Sequence, residues 1–349
     1  MKNRTRLLIH MLVLILSLVT TSSVFAESII SEEEEQAPVY FDISKLDQKY
    51  IKAAEQAVKE HSNGKAFHLE KAVKDECTYG DKIECLYIVS KNFDAVISLD
   101  IKSAKVVDIS LSFSQNDISN YLSKHAVVID EQLKVLAPTQ FNIQKVHYLK
   151  DFINKEEFFS FYEMNSNEYV MLDVATNKLK SYYLVYNVKE MDSQYTKAAQ
   201  QAIKQLTLKQ PQPFNQVILN KYVNGTEFWN FQTIKPFEEE YDLSIDVADQ
   251  IVGYEAQSVH INAKNGKVLY AGILTEGLYD TSQNKVLTKA KAIAQAKPIV
   301  KNVLGVDISS YTASFNKDLQ SLRFYKKGAT AITVYFNYFS KVDTVHFEY

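Results

Sequence analysis

Apolar positions in this chain switch between two periods. Tyr50, Ala53, Ala54, Ala57 and Val58 recur at helical spacing, and Asp47 stands where an N-cap belongs. The face they form is mostly alanine, so the helix can lie close on whatever it covers. Past Asn63-Gly64 the period drops to two, and strands are predicted over roughly 66–75, 83–89, 95–101 and 105–112. The pattern is one helix followed by an antiparallel meander.

This pattern repeats. Asp47, Tyr50, Lys52, Ala53, Ala54, Gln56, Ala57 and Lys59 each recur 145 residues later, in the segment from Asp192 to Lys204. A fixed internal period determines the architecture and is read before anything else. The meander also closes on a recurring hairpin. It appears as Leu99-Asp100-Ile101-Lys102-Ser103-Ala104-Lys105-Val106, as Leu172–Leu179 and as Ile261–Val268. Its Asp or Asn and its Gly, Asn or Ala suit a tight reversal with positive φ. The 145-residue period therefore holds two related units, and four are predicted in all, over 46–113, 114–189, 190–278 and 279–349.

The copies differ. The second opens on helical turns marked by Ile118, Tyr121, Leu122 and Ile129. The third carries an insert between its second and third strands, rich in Glu238, Glu239, Glu240, Asp242, Asp246 and Asp249. This insert reads either as an acidic binding loop or weak calcium site, or as a solvated extra hairpin; its spacing fits no EF-hand. In the fourth copy Thr288 is placed to cap a helix that Pro298 is expected to break or restart and Gly305 to stop. Its last hairpin, near 333–347, has lost the Gly and Asp. A terminal repeat meets no further copy and is free to decay.

Residues 1–26 read as a secretory signal peptide: Lys2, Arg4 and Arg6, an apolar stretch from Leu7 to Val19, then Val24-Phe25-Ala26 as a cleavage site. A retained anchor is the alternative. The stretch 27–45, with its run Glu32–Glu35, reads as an acidic disordered leader. Losing the three basic residues of the signal peptide takes the net charge from −3 to −6. That balance argues against nucleic acid or an anionic membrane surface as partner. The reading is therefore of a secreted or envelope protein with no transmembrane segment once the signal peptide is removed.

Export makes the two cysteines a candidate disulfide. Cys77 and Cys85 flank Gly80-Asp81, and with Asp81 at the turn centre they are expected directly opposite each other on a hairpin. Two free thiols are the alternative. The spacing is not that of a redox pair.

No other motif carries chemistry. The histidines show neither HExxH nor metal-ligand spacing, and there is no Gly-x-Ser-x-Gly or phosphate loop. The sequence assigns no catalytic, cofactor-binding or metal-ligating residue. Aromatics are abundant, 22 Tyr and 19 Phe against one Trp, and cluster on strands such as 157–162 and 181–186. Neighbours there, Tyr182 and Tyr183 among them, point to opposite faces. One face should pack on the helix; the other either binds a partner or sugar, or packs on the next repeat.

The alanine-faced helix, the curved meander and the closing hairpin, clearest from Gly253 to Val268, together resemble the PepSY domain. That stretch is similar to the repeated domain of secreted YcdB/YcdC-type proteins of Gram-positive bacteria. Ala104 and Asn177 stand where the family's turn has Gly, and Asn262 where it has Asp. The resemblance implies an α+β fold of tandem PepSY/cystatin-like units, each one helix packed on a curved antiparallel sheet of about four strands. It also implies a non-catalytic extracytoplasmic module that contacts a secreted peptidase or an envelope component. The candidate contact residues are Glu238, Glu239, Glu240, Asp242, Tyr182 and Tyr183. A structural wall or spore protein, and a small-ligand binder or enzyme, are the competing readings.

Overall fold

A computed structural model of the chain describes residues 39–348, apart from 80, 137–140, 166–167, 208–210, 234–254, 276–286 and 338–339. The predicted signal peptide, most of the predicted acidic leader and the whole Glu238–Asp249 insert lie outside the described residues.

The elements follow the predicted helix-then-meander order. Strand β1 (Phe41–Asp42) precedes helix α1 (Gln48–His61) and strands β2 (Leu69–Tyr79), β3 (Asp81–Ser90), β4 (Ala95–Asp100) and β5 (Val106–Ser114). Next come α2 (Gln115–Tyr121), α3 (Ser123–Leu136), β6 (Lys145–Asp151), β7 (Glu156–Glu163), β8 (Glu168–Asp173) and β9 (Lys178–Tyr186). Then follow α4 (Ser193–Thr207), β10 (Gln216–Lys221), β11 (Glu227–Gln232), β12 (Glu255–Asn262) and β13 (Val268–Thr275). The last group is α5 (Lys289–Leu304), β14 (Thr312–Asn316), β15 (Ser321–Tyr325), β16 (Ile332–Phe336) and β17 (Val342–Phe347).

The tandem PepSY/cystatin-like architecture, each helix on its own small sheet, is not what these elements build. The seventeen described strands belong to one antiparallel sheet. At the predicted unit boundaries the strands continue the ladder: β5 pairs with β6 from Asp108↔Asp151 to Ser114↔Lys145, and β9 with β10 from Tyr186↔Val217 to Tyr182↔Lys221. The physical reason lies in the edges. A separate four-stranded unit would leave a row of unpaired N–H and C=O groups on each side, and pairing with the next copy removes that exposure. Two compact units are distinguishable within the chain. One takes the described residues up to Asn167 with Met171–Leu179; the other takes Glu168–Val170 and Lys180–Tyr349.

In the first unit β1 lies on β2, and β2 to β7 pair in sequence order. Helix α1 covers β4 and β5, burying Ile51, Ala54, Ala57 and Val58 near Ile97, Leu99, Ile109 and Leu111. Each Ile, Leu or Val side chain among them, withdrawn from water, is worth about 1.5–3 kcal/mol, and each alanine methyl less. In the second unit α4 buries Ala199, Ala202, Ile203 and Leu206 against β12 and β13. Three of those four are the 145-residue counterparts of Ala54, Ala57 and Val58.

The copies agree in finer detail than the residues suggest. Phe41↔Ala72 in the first pairing and Tyr186↔Val217 in the second are related by the same 145 residues. Short 3-10 turns follow at Ile43–Lys45 and Val188–Glu190, capped by Asp42 and Asn187, whose side chains accept from Ser44 N at 2.8 Å and Lys189 N at 2.9 Å. The closing hairpins also coincide. The N–H groups of Ala104, Asn177 and Gly266 donate to the carbonyls of Asp100, Asp173 and Asn262 at 2.8, 2.9 and 2.9 Å, and all three donors have positive φ.

The fourth copy departs. Strand β13 pairs with β17, not β14, so the order at this end runs β13-β17-β16-β15-β14. Its closing hairpin keeps the turn chemistry in altered form: the Asn337 side chain accepts from Lys341 N, and Ser340 takes the left-handed position with φ 58°. Helix α5 runs through Pro298 without a break and ends at Gly305, φ 72°. Pro298 is exposed, so the carbonyl its ring deprives of a donor faces water.

The disulfide hairpin is shifted by one residue from the expected centre. Tyr79 pairs with Asp81, so Cys77 lies opposite Ile83 and Cys85 opposite Asp75. The two cysteines are diagonal neighbours on one face and are bonded, with Cα atoms 5.6 Å apart. Both are buried in a cluster with Val73, Tyr87 and Val107, against which Tyr40 and Val96 pack.

Candidate functional site

The sheet of the second unit has two unlike faces. One carries Val217, Phe231, Val259, Ile261, Ala271 and Val345 beneath the helices. The other carries a row of rings. Tyr222 meets Phe228 edge-on at 5.0 Å, Phe228 stacks on His260 at 4.6 Å, and His260 stacks on Tyr270 at 4.6 Å. Tyr270 lies 6.0 Å from His346, which stacks on Tyr335 at 6.0 Å. The register explains the row. His260↔Tyr270 and Tyr270↔His346 are direct cross-strand pairs, and Phe228–His260 and Tyr335–His346 are diagonals on the same face. Gly272 makes room for it, since a Cβ there would collide with the Tyr270 ring and hydroxyl.

A polar row runs beside the rings. Ser258 Oγ donates to Asn230 Oδ1 at 3.0 Å, Asn230 Nδ2 to Gln232 Oε1 at 3.4 Å, and Gln232 Nε2 to Gln216 Oε1. Pairings Gln216↔Gln232 and Asn230↔His260 put these amides on the ring face. Rings and amides are half-buried, with Phe228 fully so.

Burial sets the charges here. His260, sandwiched between Phe228 and Tyr270, is held neutral, its pKa pushed down to about 3 by desolvation and then by His346. On β17 Asp343 is pushed up to about 6 by desolvation, and its Oδ1 has no hydrogen-bond partner.

Tyr182 and Tyr183, singled out on sequence as contact residues, are both buried. Tyr182 donates to Glu227 on the helix side; Tyr183 stacks on Tyr169 at 6.3 Å, interplanar angle 10°. Neither offers open area to a partner. Glu238, Glu239, Glu240 and Asp242 lie outside the described residues. The ring row is not visible in the sequence, because it depends on strand register that no single histidine reveals. The available clue was parity: His260, Tyr270 and His346 share one face once the strands are set in register.

Two constellations in the first unit bring together residue types that also occur in catalytic groupings. Ser112 Oγ meets His147 Nδ1 at 3.0 Å, but His147 Nε2 is buried without a partner and desolvation pushes the imidazole down to about 4. No carboxylate orients that ring, and so weak a base does not activate a hydroxyl at neutral pH. Tyr148 donates to Glu157 Oε1 at 2.8 Å and meets His61 Nδ1 at 2.9 Å, with Lys150 on Glu157 at 3.1 Å. The tyrosine has only one proton, so His61 Nδ1–H is the donor to it. This network ties the end of α1 to β6 and β7. Burial and then Glu157 raise the Tyr148 pKa far above its ordinary value, so the phenol stays protonated.

Among the described residues no group of three or more His, Cys, Asp or Glu is placed to hold a metal ion, and no helix is long and apolar enough to cross a membrane. Comparison with protein-family models, with curated proteins and with solved structures returns no match.

Proposed function

We propose that this chain is a non-enzymatic binding protein acting outside the cytoplasm, and that it takes another protein on the ring-bearing face of the sheet of its second unit. The observation that carries this reading is the ring row from Tyr222 to Tyr335 beside the Gln216–Ser258 amides. The rings at the centre of the row use their faces on one another, and polar amides run beside them. A sugar stacks on open ring faces, and His260 has none left. Edge-on aromatics mixed with hydrogen-bonding groups suit a protein surface, where tyrosine supplies area and a hydroxyl at low entropic cost. The disulfide supports an oxidising compartment. The resemblance to PepSY-like modules makes a secreted peptidase the first partner to try.

The test is capture from culture medium and envelope fractions on the immobilised mature chain, with Tyr222→Ser and Tyr335→Ser as paired controls at the two ends of the row. A protein retained by the wild type and lost with both variants is expected, together with a change in secreted peptidase activity on adding the wild type. Equal retention by the variants, or no effect on peptidase activity and no retained protein, overturns the proposal.

A further inference from the structure

The first strand of a copy is normally covered by the last strand of the copy before: β6 by β5, and β10 by β9. Strand β14 is the exception. Because β13 turns to β17, β14 is paired among the described residues with β15 alone. Among the described residues its other edge is open, and every second residue there points its N–H and C=O outward.

Open edges are normally defended by charge. Strand β2, beside the two-residue β1, is so defended, with Glu70, Lys71, Lys74, Asp75 and Glu76 along its length. Strand β14 reads Thr312-Ala313-Ser314-Phe315-Asn316 and carries no charge. Its residues alternate between exposed Thr312, Ser314 and Asn316 and half-buried Ala313 and Phe315. Ala313 and Phe315 lie opposite Phe324 and Leu322, which are buried, so the half-buried side continues the core face.

That alternation is self-complementary. Laid antiparallel on a second β14 with Ser314 against Ser314, Thr312 meets Asn316 and Ala313 meets Phe315. Polar faces polar, apolar faces apolar, and no side of the core face is inverted. We propose that β14 is the surface through which two copies of this chain pair, antiparallel and centred on Ser314. Such a contact is isologous and closes as a two-fold dimer. Five residues a side bury less than the roughly 1,000 Å² of a stable interface, so the dimer is weak and concentration-dependent.

Sedimentation equilibrium of the mature chain over a concentration series up to about 1 mM reads it. The wild type is expected to shift toward twice the monomer mass. Ser314→Lys and Ser314→Glu each put like charges opposite each other and are expected to weaken pairing at least about tenfold. An equimolar mixture of the two is expected to regain it, because the contact brings the two 314 side chains together with opposite charges. Hydrogen exchange on the unsubstituted chain gives a second reading: the amides of Thr312–Asn316 slow at high concentration. A wild type that stays monomeric, a dimer that S314K leaves intact, a mixture that stays monomeric, or exchange at β14 independent of concentration each overturns the proposal.

Discussion

Tyr50 and Tyr195, 145 residues apart, make the same hydrogen bond. The first donates to the Ile101 carbonyl at 2.6 Å and the second to the Ala263 carbonyl at 3.0 Å. Ile101 and Ala263 occupy the same position in their closing hairpins. The tyrosine therefore clips the first turn of each helix to the hairpin at the far end of its own meander.

Removing that hydroxyl leaves a carbonyl short of a donor while keeping the ring. Tyr50→Phe and Tyr195→Phe are each expected to cost about 0.5–1.5 kcal/mol, measured as a shift in urea midpoint with unchanged slope. A change below about 0.3 kcal/mol in both would show that water replaces the clip.

The closing hairpins predict opposite effects at equivalent positions. Ala104 has φ 55° and Gly266 φ 69°, in the same turn of two copies. Alanine is strained there and glycine is not. Ala104→Gly should stabilise by about 0.5–1 kcal/mol, and Gly266→Ala should destabilise by a similar amount or more. The same sign in both variants would contradict the equivalence of the turns.

These two cases show what the sequence carries openly. The helix face, the Asp caps and the hairpin turns depend on residues close in the chain, and their spacing is visible without a structure. Pairing between copies depends on which edges are left open after folding, and β13 turning to β17 has no local mark. The disulfide was legible as a pair, but its register was not, because the pairing Tyr79↔Asp81 shifts the hairpin by one residue and makes Cys77 and Cys85 diagonal. The ring row is likewise a property of register: His260 and His346 lie 86 positions apart, and only the sheet brings them to Tyr270.

Cys77 and Cys85 are separated by eight residues and are both buried. On the loop-entropy account a closure of this size stabilises by about 2–3 kcal/mol. The double Cys→Ala variant should lose about that much, and the oxidised wild type should stay unalkylated by thiol reagents even when unfolded in urea, until a reductant is added. Alkylation of native protein without reductant would show the bond absent.

Asp343 bears a charge in a place that does not solvate it. Its folded pKa is raised from 3.8 to about 6, so the folded state holds the proton more tightly than the unfolded chain. Its contribution favours folding below 3.8 and is lost as pH rises through 6. Above that pH the carboxylate destabilises, and Asp343→Asn should raise stability at pH 7.5 by about 1–2 kcal/mol while changing little at pH 4. Equal effects at both pH values would point to packing instead of charge.

His260 runs the other way and dominates the acid limb. Its folded pKa is depressed to about 3 from an ordinary 6.5, so the unfolded chain binds the proton across that window and the folded state does not. Stability is complete above 6.5 and falls as pH drops toward 3. At pH 4.5 the loss from this residue alone is about 2–3 kcal/mol. His147, pushed down to about 4, adds to it over a narrower range, and Asp343 opposes it between 6 and 3.8. His260→Phe keeps a ring between Phe228 and Tyr270 and removes the titration. Urea midpoints at pH 7, 5.5 and 4.5 should fall steeply for the wild type and less steeply for the variant. Parallel curves would place the imidazole in contact with water and remove the basis for treating the centre of the row as desolvated.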